Sequence, residues 1–159
     1  MKEFFEKTLE DIIFNTDNEL LCEHGLIISG KKLRQVKIGN YGIADLITYN
    51  IERDYIYDNY LNIALYELKR KEINNNSFMQ AIGYIKGIIE YLNKRQFSNY
   101  KLEIINLSDN FVYLPSLYTD KIEYPLQSIC NIEYYTYDYN FNGITFIDCN
   151  DYNLVDKGF

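Results

Sequence analysis

Tyr41-Gly42-Ile43-Ala44-Asp45-Leu46-Ile47-Thr48-Tyr49 is followed, after a polar stretch from Ile51 to Asn59, by Asn62-Ile63-Ala64-Leu65-Tyr66-Glu67-Leu68-Lys69-Arg70. Both runs alternate about apolar positions, and both read as strands. Successive side chains of a strand point to opposite faces. Alternation therefore groups Ile43, Asp45 and Ile47 on one face, and Ala44, Leu46 and Thr48 on the other. In the second run Leu65, Glu67 and Lys69 share a face. Each run carries its charge inside an apolar context, where an ionised group is costly unless it is paired or bound to a metal.

The flanking sequence extends this pattern. Lys32–Ile38 alternates and is joined to the Asp45 run through Gly39-Asn40, a hairpin signal. Before it, Phe5, Leu9, Ile12 and Ile13 recur at helical spacing between Phe4 and Asn15, with Glu6, Lys7 and Glu10 elsewhere on the wheel. Asp17–Leu26 adds a short helical turn ending at Gly25. Downstream, Asn74-Asn75-Asn76 breaks the chain. A helix from Ser77 to about Arg95 follows, its start marked by Ser77-x-x-Gln80 as a capping box. Lys101–Leu107 reads as another strand. Asn131–Asp148 reads as a tyrosine-rich hairpin turning at Asn142-Gly143. Helix, three strands, helix, strand and hairpin make an α/β layer with a mixed sheet.

Composition narrows the function classes. The 159 residues suit one domain, 1–159, with a core at about 4–107 and an extension at about 108–159. No run of eighteen apolar residues is present, and the first residues hold no signal-peptide core, so the reading is a cytoplasmic protein without a membrane partner. Cys22, Cys130 and Cys149 form no CxxC pair and read as small core residues of a reducing compartment. A single histidine, His24, argues against a zinc site and against a Ser-His-Asp triad. The net charge of −7 argues against a protein that coats nucleic acid by neutralising phosphates. It argues less against a nuclease, whose site needs carboxylates and recruits positive charge as metal. No G-x-G-x-x-G or G-x-x-x-x-G-K-[ST] loop is present.

Two carboxylates brought together, with oxygen as the only donor type, suit Mg²⁺, which keeps several waters and binds substrate phosphate. Lys69, beside Glu67, is placed to orient or deprotonate an attacking water and to offset charge building on phosphorus.

Leu9-Glu10-Asp11, Arg34-Gln35-Val36, Gly42-Ile43-Ala44-Asp45, Glu67-Leu68-Lys69-Arg70 and Gln80-x-x-x-Tyr84, in that order, resemble the PD-(D/E)XK nucleases. In particular they resemble the nuclease domain of the NucS/EndoMS group and its short stand-alone relatives. The resemblance covers roughly Phe4 to Leu92. It implies a restriction-endonuclease-like core of helix, three-stranded meander, helix and strand, with the C-terminal hairpin added to it. It further implies a Mg²⁺-dependent nuclease, with Mn²⁺ able to substitute, that hydrolyses DNA phosphodiesters, endonucleolytic cleavage favoured.

Residue by residue, Asp45 and Glu67 match the metal-binding acids and Lys69 the catalytic lysine. Glu10, with Glu6 as the alternative one turn earlier, matches the acid of the first helix, which holds a metal-bound water or a second ion. Gln80 matches the glutamine beside the metal, although a capping box alone accounts for a Gln there. Arg34, Gln35, Arg70 and Tyr84 are candidates for substrate contact. Lys31, Lys32 and Lys71 are expected to add positive charge near the site. Ala44 stands where the motif has its proline, and mismatch recognition is not carried over. A homodimer is compatible with double-strand cleavage. The competing reading is a catalytically silent module of the same fold that acts by binding protein or nucleic acid.

Overall fold

The computed structural model describes residues 2–53, 59–70, 75–109, 130–140 and 143–149. Helix α1 spans Lys2–Asn15 and α2 spans Asn18–Glu23. Strands β1 (Lys31–Ile38), β2 (Gly42–Glu52) and β3 (Tyr60–Leu68) follow. Helix α3 (Asn75–Lys94) precedes β4 (Tyr100–Ser108), β5 (Cys130–Asn140) and β6 (Gly143–Asp148). The six strands among the described residues form one sheet in the order of the chain. β1–β2, β2–β3 and β5–β6 pair antiparallel, whereas β3–β4 and β4–β5 pair parallel, so the protein is α/β with a mixed sheet. Parallel neighbours cannot be joined by a tight turn, and α3 supplies the long crossover from β3 to β4.

Each face of the sheet has its own core. On one, Ile47, Ile63, Leu65, Leu102 and Ile104 meet Phe78, Ile82, Ile85 and Leu92 of α3. On the other, Leu46, Tyr66, Leu68, Ile105 and Leu107 meet Leu9 and Ile13 of α1 and Leu21 of α2. Strands that are covered on both sides read as nearly continuous apolar runs, as β3 and β4 do. Each of these side chains contributes about 1.5–3 kcal/mol when fully buried.

Several boundaries differ from the sequence reading. Ile51 and Glu52 belong to β2, because they pair with Leu61 and Tyr60 rather than starting a loop. Asn75 and Asn76 are already helical, so Ser77 is a buried residue inside α3 and not its N-cap. The capping-box pattern there is coincidental. Cys22 is exposed, whereas Cys130 and Cys149 are buried, and all three are free thiols. Asn142, of the expected hairpin turn, and Lys71 lie outside the described residues.

Strand alternation also fails at one point. Arg34 and Leu46 are partners in register and both face α1: Arg34 bonds Glu10 and Asp11, and Leu46 packs with Leu9. Two residues along, Val36 and Ala44 are partners and both pack with the α3 cluster. In a regular pleat, residues two apart share a face. Each strand therefore turns over once, at Gln35 and Asp45, without losing register. The turnover is visible in the backbone, since Gln35 has φ of 53°. The expected grouping of Ile43, Asp45 and Ile47 on one face is thereby corrected.

Candidate active site

The register of β2 and β3 ends at Leu46↔Tyr66, and the next position on each strand is Asp45 and Glu67. Beyond this point, among the described residues, β3 continues with β4, through Glu67↔Asn106 and Leu68↔Leu107. The two carboxylates thus stand on either side of the place where two strands part company. Glu67 follows the regular alternation of β3 and faces α3 with Leu65. Its neighbour two residues on, Lys69, holds its ammonium 3.5 Å from Glu67 Oε1. Lys69 also lines an open cavity of about 340 Å³ with Asn76, Ser77 and Gln80 of α3.

Glu67 is only 7% exposed. Desolvation pushes its carboxyl up to about 7; Lys69 counteracts this, while the negative charges of Asp45 and Glu6 reinforce it. Tyr84 senses the same field: burial raises its pKa, and Glu67 and Asp45 raise it further. Its hydroxyl donates to the Ile43 carbonyl at 3.0 Å. Tyr84 is therefore engaged by the protein at the hairpin tip.

Asp45, by contrast, is exposed, and the Gln35 amide donates to its Oδ1 at 3.2 Å. The same amide nitrogen donates to Glu10 Oε1 at 2.9 Å. Glu10 is buried beneath Lys7 and Arg34. Desolvation opposes its ionisation, but hydrogen bonds and charge from Lys7 and Arg34 prevail and hold its pKa below the usual range. Arg34 also pairs with Asp11 and lies 4.9 Å above the Phe14 ring. Its guanidinium is committed to α1. Glu6, one turn before Glu10, accepts from the Arg70 backbone N–H at 3.3 Å. The two first-helix acids thus serve different ends of the gap: Glu10 reaches Asp45 through Gln35, and Glu6 lies near the end of β3.

Lys31 and Lys32 are not at the site. They pair with Tyr49 and Thr48 at the far end of β1, and the Lys32 ammonium donates to the Thr16 carbonyl. Two groups absent from the sequence reading are present. The Tyr137 hydroxyl of β5 donates to the carbonyls of Lys69 (3.0 Å) and Arg70 (3.4 Å), tying down the backbone that carries Lys69. Asn106, 1% exposed, sits beside Glu67 in register. Its amide donates to the Glu133 carbonyl, and its buried Oδ1 has no hydrogen-bond partner among the described residues. The signal for Asn106 was a lone amide within Leu102-Glu103-Ile104-Ile105-Asn106-Leu107. Nothing in Tyr137 distinguishes it from its neighbouring tyrosines.

Comparison with protein families, with curated proteins and with solved structures finds no match. Among the described residues, no group of three or more His, Cys, Asp or Glu side chains is gathered closely enough to hold a metal by itself. Mg²⁺ does not require such a group, because one or two carboxylates plus water and substrate phosphate complete its shell. The donor set at Asp45 and Glu67 is all oxygen. Among the described residues the buried Glu67 carboxylate has one cationic partner, Lys69 at 3.5 Å, and desolvation outweighs it. These residues fit a hard divalent cation.

Proposed function

We propose that the chain is a Mg²⁺-dependent nuclease domain of the PD-(D/E)XK type, acting on DNA phosphodiesters. The observation that carries this reading is the register: Asp45 and Glu67 follow the same final pair of the β2–β3 ladder, and Lys69 projects from the same strand face as Glu67. Asp45 and Glu67 would hold the cation, and Mn²⁺ would replace Mg²⁺. Such a cation supplies Lewis acidity to the phosphodiester and to the attacking water. Lys69 orients that water and neutralises charge developing on the phosphoryl oxygens. Tyr137 fixes the main chain beneath Lys69. Gln80, exposed on α3 across the cavity from Lys69, is placed to contact the incoming phosphate.

The test is incubation of purified protein with single-stranded, duplex and branched DNA, with Mg²⁺, Mn²⁺ or EDTA. Metal-dependent cleavage that disappears in Asp45→Asn and Lys69→Met is expected. Cleavage that persists in those variants, or none with any substrate, would reject the proposal.

A second reading, binding without turnover, draws on a different observation. An apolar groove of about 550 Å³ runs between α3 and the β1 side of the sheet, lined by residues including Leu33, Ile47, Leu61, Ile88, Tyr91 and Phe97. Calorimetry separates the two readings. Divalent-cation binding that is lost in Glu67→Gln favours catalysis, and no binding at all favours the silent module.

A further inference from the structure

We infer that Gln35 is a positioning residue whose carboxamide, aimed by a left-handed backbone in mid-strand, holds the Asp45 carboxylate in place for a divalent cation. The inference rests on the proposed function, since it assigns a role within that same site. Two non-glycine residues have positive φ among the described residues: Gln35 at 53° and Gln96 at 63°. Gln96 lies two residues past the end of α3, and the next residue, Phe97, donates its N–H back to the Leu92 carbonyl. A left-handed residue is the ordinary way to end a helix. Gln35 has no such excuse. It lies inside β1, between Arg34↔Leu46 and Val36↔Ala44, and it opposes Asp45 at the one interior position where the ladder has no pair. A left-handed conformation is unfavourable for a side chain with a Cβ, and such outliers persist where the surroundings hold them.

What the conformation achieves is specific. The Gln35 amide bridges Asp45 and Glu10, two carboxylates from different elements, at 3.2 and 2.9 Å. Glu10 is in turn fixed by Lys7 and Arg34. A chain of contacts therefore runs from the buried face of α1 to an exposed carboxylate that otherwise has freedom to rotate. A substrate-contacting role would need the amide to point outward, unshared. Here it is spent on two carboxylates.

A backbone-only role makes a different prediction, because the turnover also lets Val36, Ile38 and Ala44 reach α3. Two variants divide the possibilities. Gln35→Gly removes the amide and relieves the strain, and Gln35→Met removes the amide while keeping the side-chain bulk. Mn²⁺ affinity of the full chain is measured by calorimetry, alongside thermal unfolding in EDTA. For a positioning residue, both variants weaken Mn²⁺ binding by about 10–100-fold, the range of a hydrogen bond to a charged group. The melting temperature stays within about 2–4 °C of wild type or rises in Gln35→Gly. Binding within twofold of wild type in either variant overturns the assignment and leaves the nuclease reading standing. Weakened Mn²⁺ binding in both variants, together with a wild type that binds Mn²⁺ but cuts no DNA, keeps the positioning role and rejects the nuclease. A wild type that binds no Mn²⁺ rejects both.

Discussion

Asp45 and Glu67 occupy equivalent steps on adjacent strands, yet their surroundings are opposite. Glu67 sits in a regular strand, buried, with its protonation displaced by desolvation. Asp45 sits at an irregularity, exposed, and is oriented by hydrogen bonding from a strained neighbour. One half of the site is thus built by burial and the other by backbone conformation. The difference matters because the two means store energy in different forms. The Glu67 half carries it as an electrostatic penalty that varies with pH, and the Asp45 half carries it as a conformational cost that does not.

The largest effect should come from neutralising each carboxylate. Asp45→Asn and Glu67→Gln are both expected to lower the proposed nuclease activity by at least about 10²-fold, the scale for losing one electrostatic contributor to a transition state. Their stabilities should diverge. The Glu67 carboxyl titrates near 7 in the folded protein, against an ordinary 4.5. The folded state therefore binds this proton more tightly than the unfolded state. Stability linked to it is complete below about pH 4.5 and declines as pH rises through 7, reaching a loss of about 3 kcal/mol. Glu67→Gln has no such loss, so in EDTA it should exceed wild type by up to that amount at pH 8 and match it at pH 4. Asp45→Asn should match wild type at pH 4 and gain only a small part of that amount at pH 8, because it removes one of the lesser charges that raise the Glu67 pKa. Urea denaturation measures this. A Glu67→Gln advantage that does not change with pH would refute the contrast.

The same contrast explains what the sequence made legible. Alternation placed Glu67 and Lys69 on one face correctly, because β3 is a regular strand whose pleat is uninterrupted. It misgrouped Asp45, because the turnover lies at Gln35, and a glutamine carries no mark of a left-handed backbone as a glycine would. Residue types around Arg34-Gln35-Val36 are those of any half-buried strand. The start of α3 was displaced for a related reason: Ser77-x-x-Gln80 satisfies a local pattern, but Ser77 is buried within the helix. The mixed sheet followed from a helix placed between strands. The pairing of β4 with β5 did not, since register between parallel strands depends on packing remote in the chain.

A smaller effect probes how the hairpin tip leans on α3. A Cβ at Gly87 would stand 2.4 Å from Ile38 Cγ2 and 2.7 Å from Tyr41 Cδ2. Gly87→Ala must push the tip away, at about 1–3 kcal/mol for overpacking, against a gain of about 1 kcal/mol in helix propensity. At Gly83 the nearest atom is 3.5 Å away, an ordinary contact, so Gly83→Ala should keep most of that gain. Chemical denaturation should rank Gly83→Ala above wild type and Gly87→Ala at or below it. In Gly87→Ala, activity should fall through displacement of β2 while the pH-dependent difference assigned to Glu67 is unchanged. Loss of that difference would mean that the two halves are mechanically one.

Tyr84 gives the smallest effect and the finest division between anchoring and chemistry. Its ring is buried against the α3 core, and its hydroxyl donates to the Ile43 carbonyl, two residues before Asp45. Both carboxylates act to keep that hydroxyl protonated, so it serves as a donor and not as a base. Tyr84→Phe keeps the ring and removes one hydrogen bond, at about 0.5–1.5 kcal/mol. Ile43 is exposed, so water can replace the lost donor, which sets the expectation at the low end. If Tyr84 only anchors the tip, the KM for DNA and the Mn²⁺ affinity should stay within about threefold of wild type, since a change of this size in energy shifts an equilibrium by less than tenfold. If its hydroxyl also meets substrate, KM should rise while Mn²⁺ affinity holds. A fall in Mn²⁺ affinity without a rise in KM would instead place Tyr84 in the scaffold of Asp45, beside Gln35, and would make the exposed half of the site dependent on supports from both faces of the sheet.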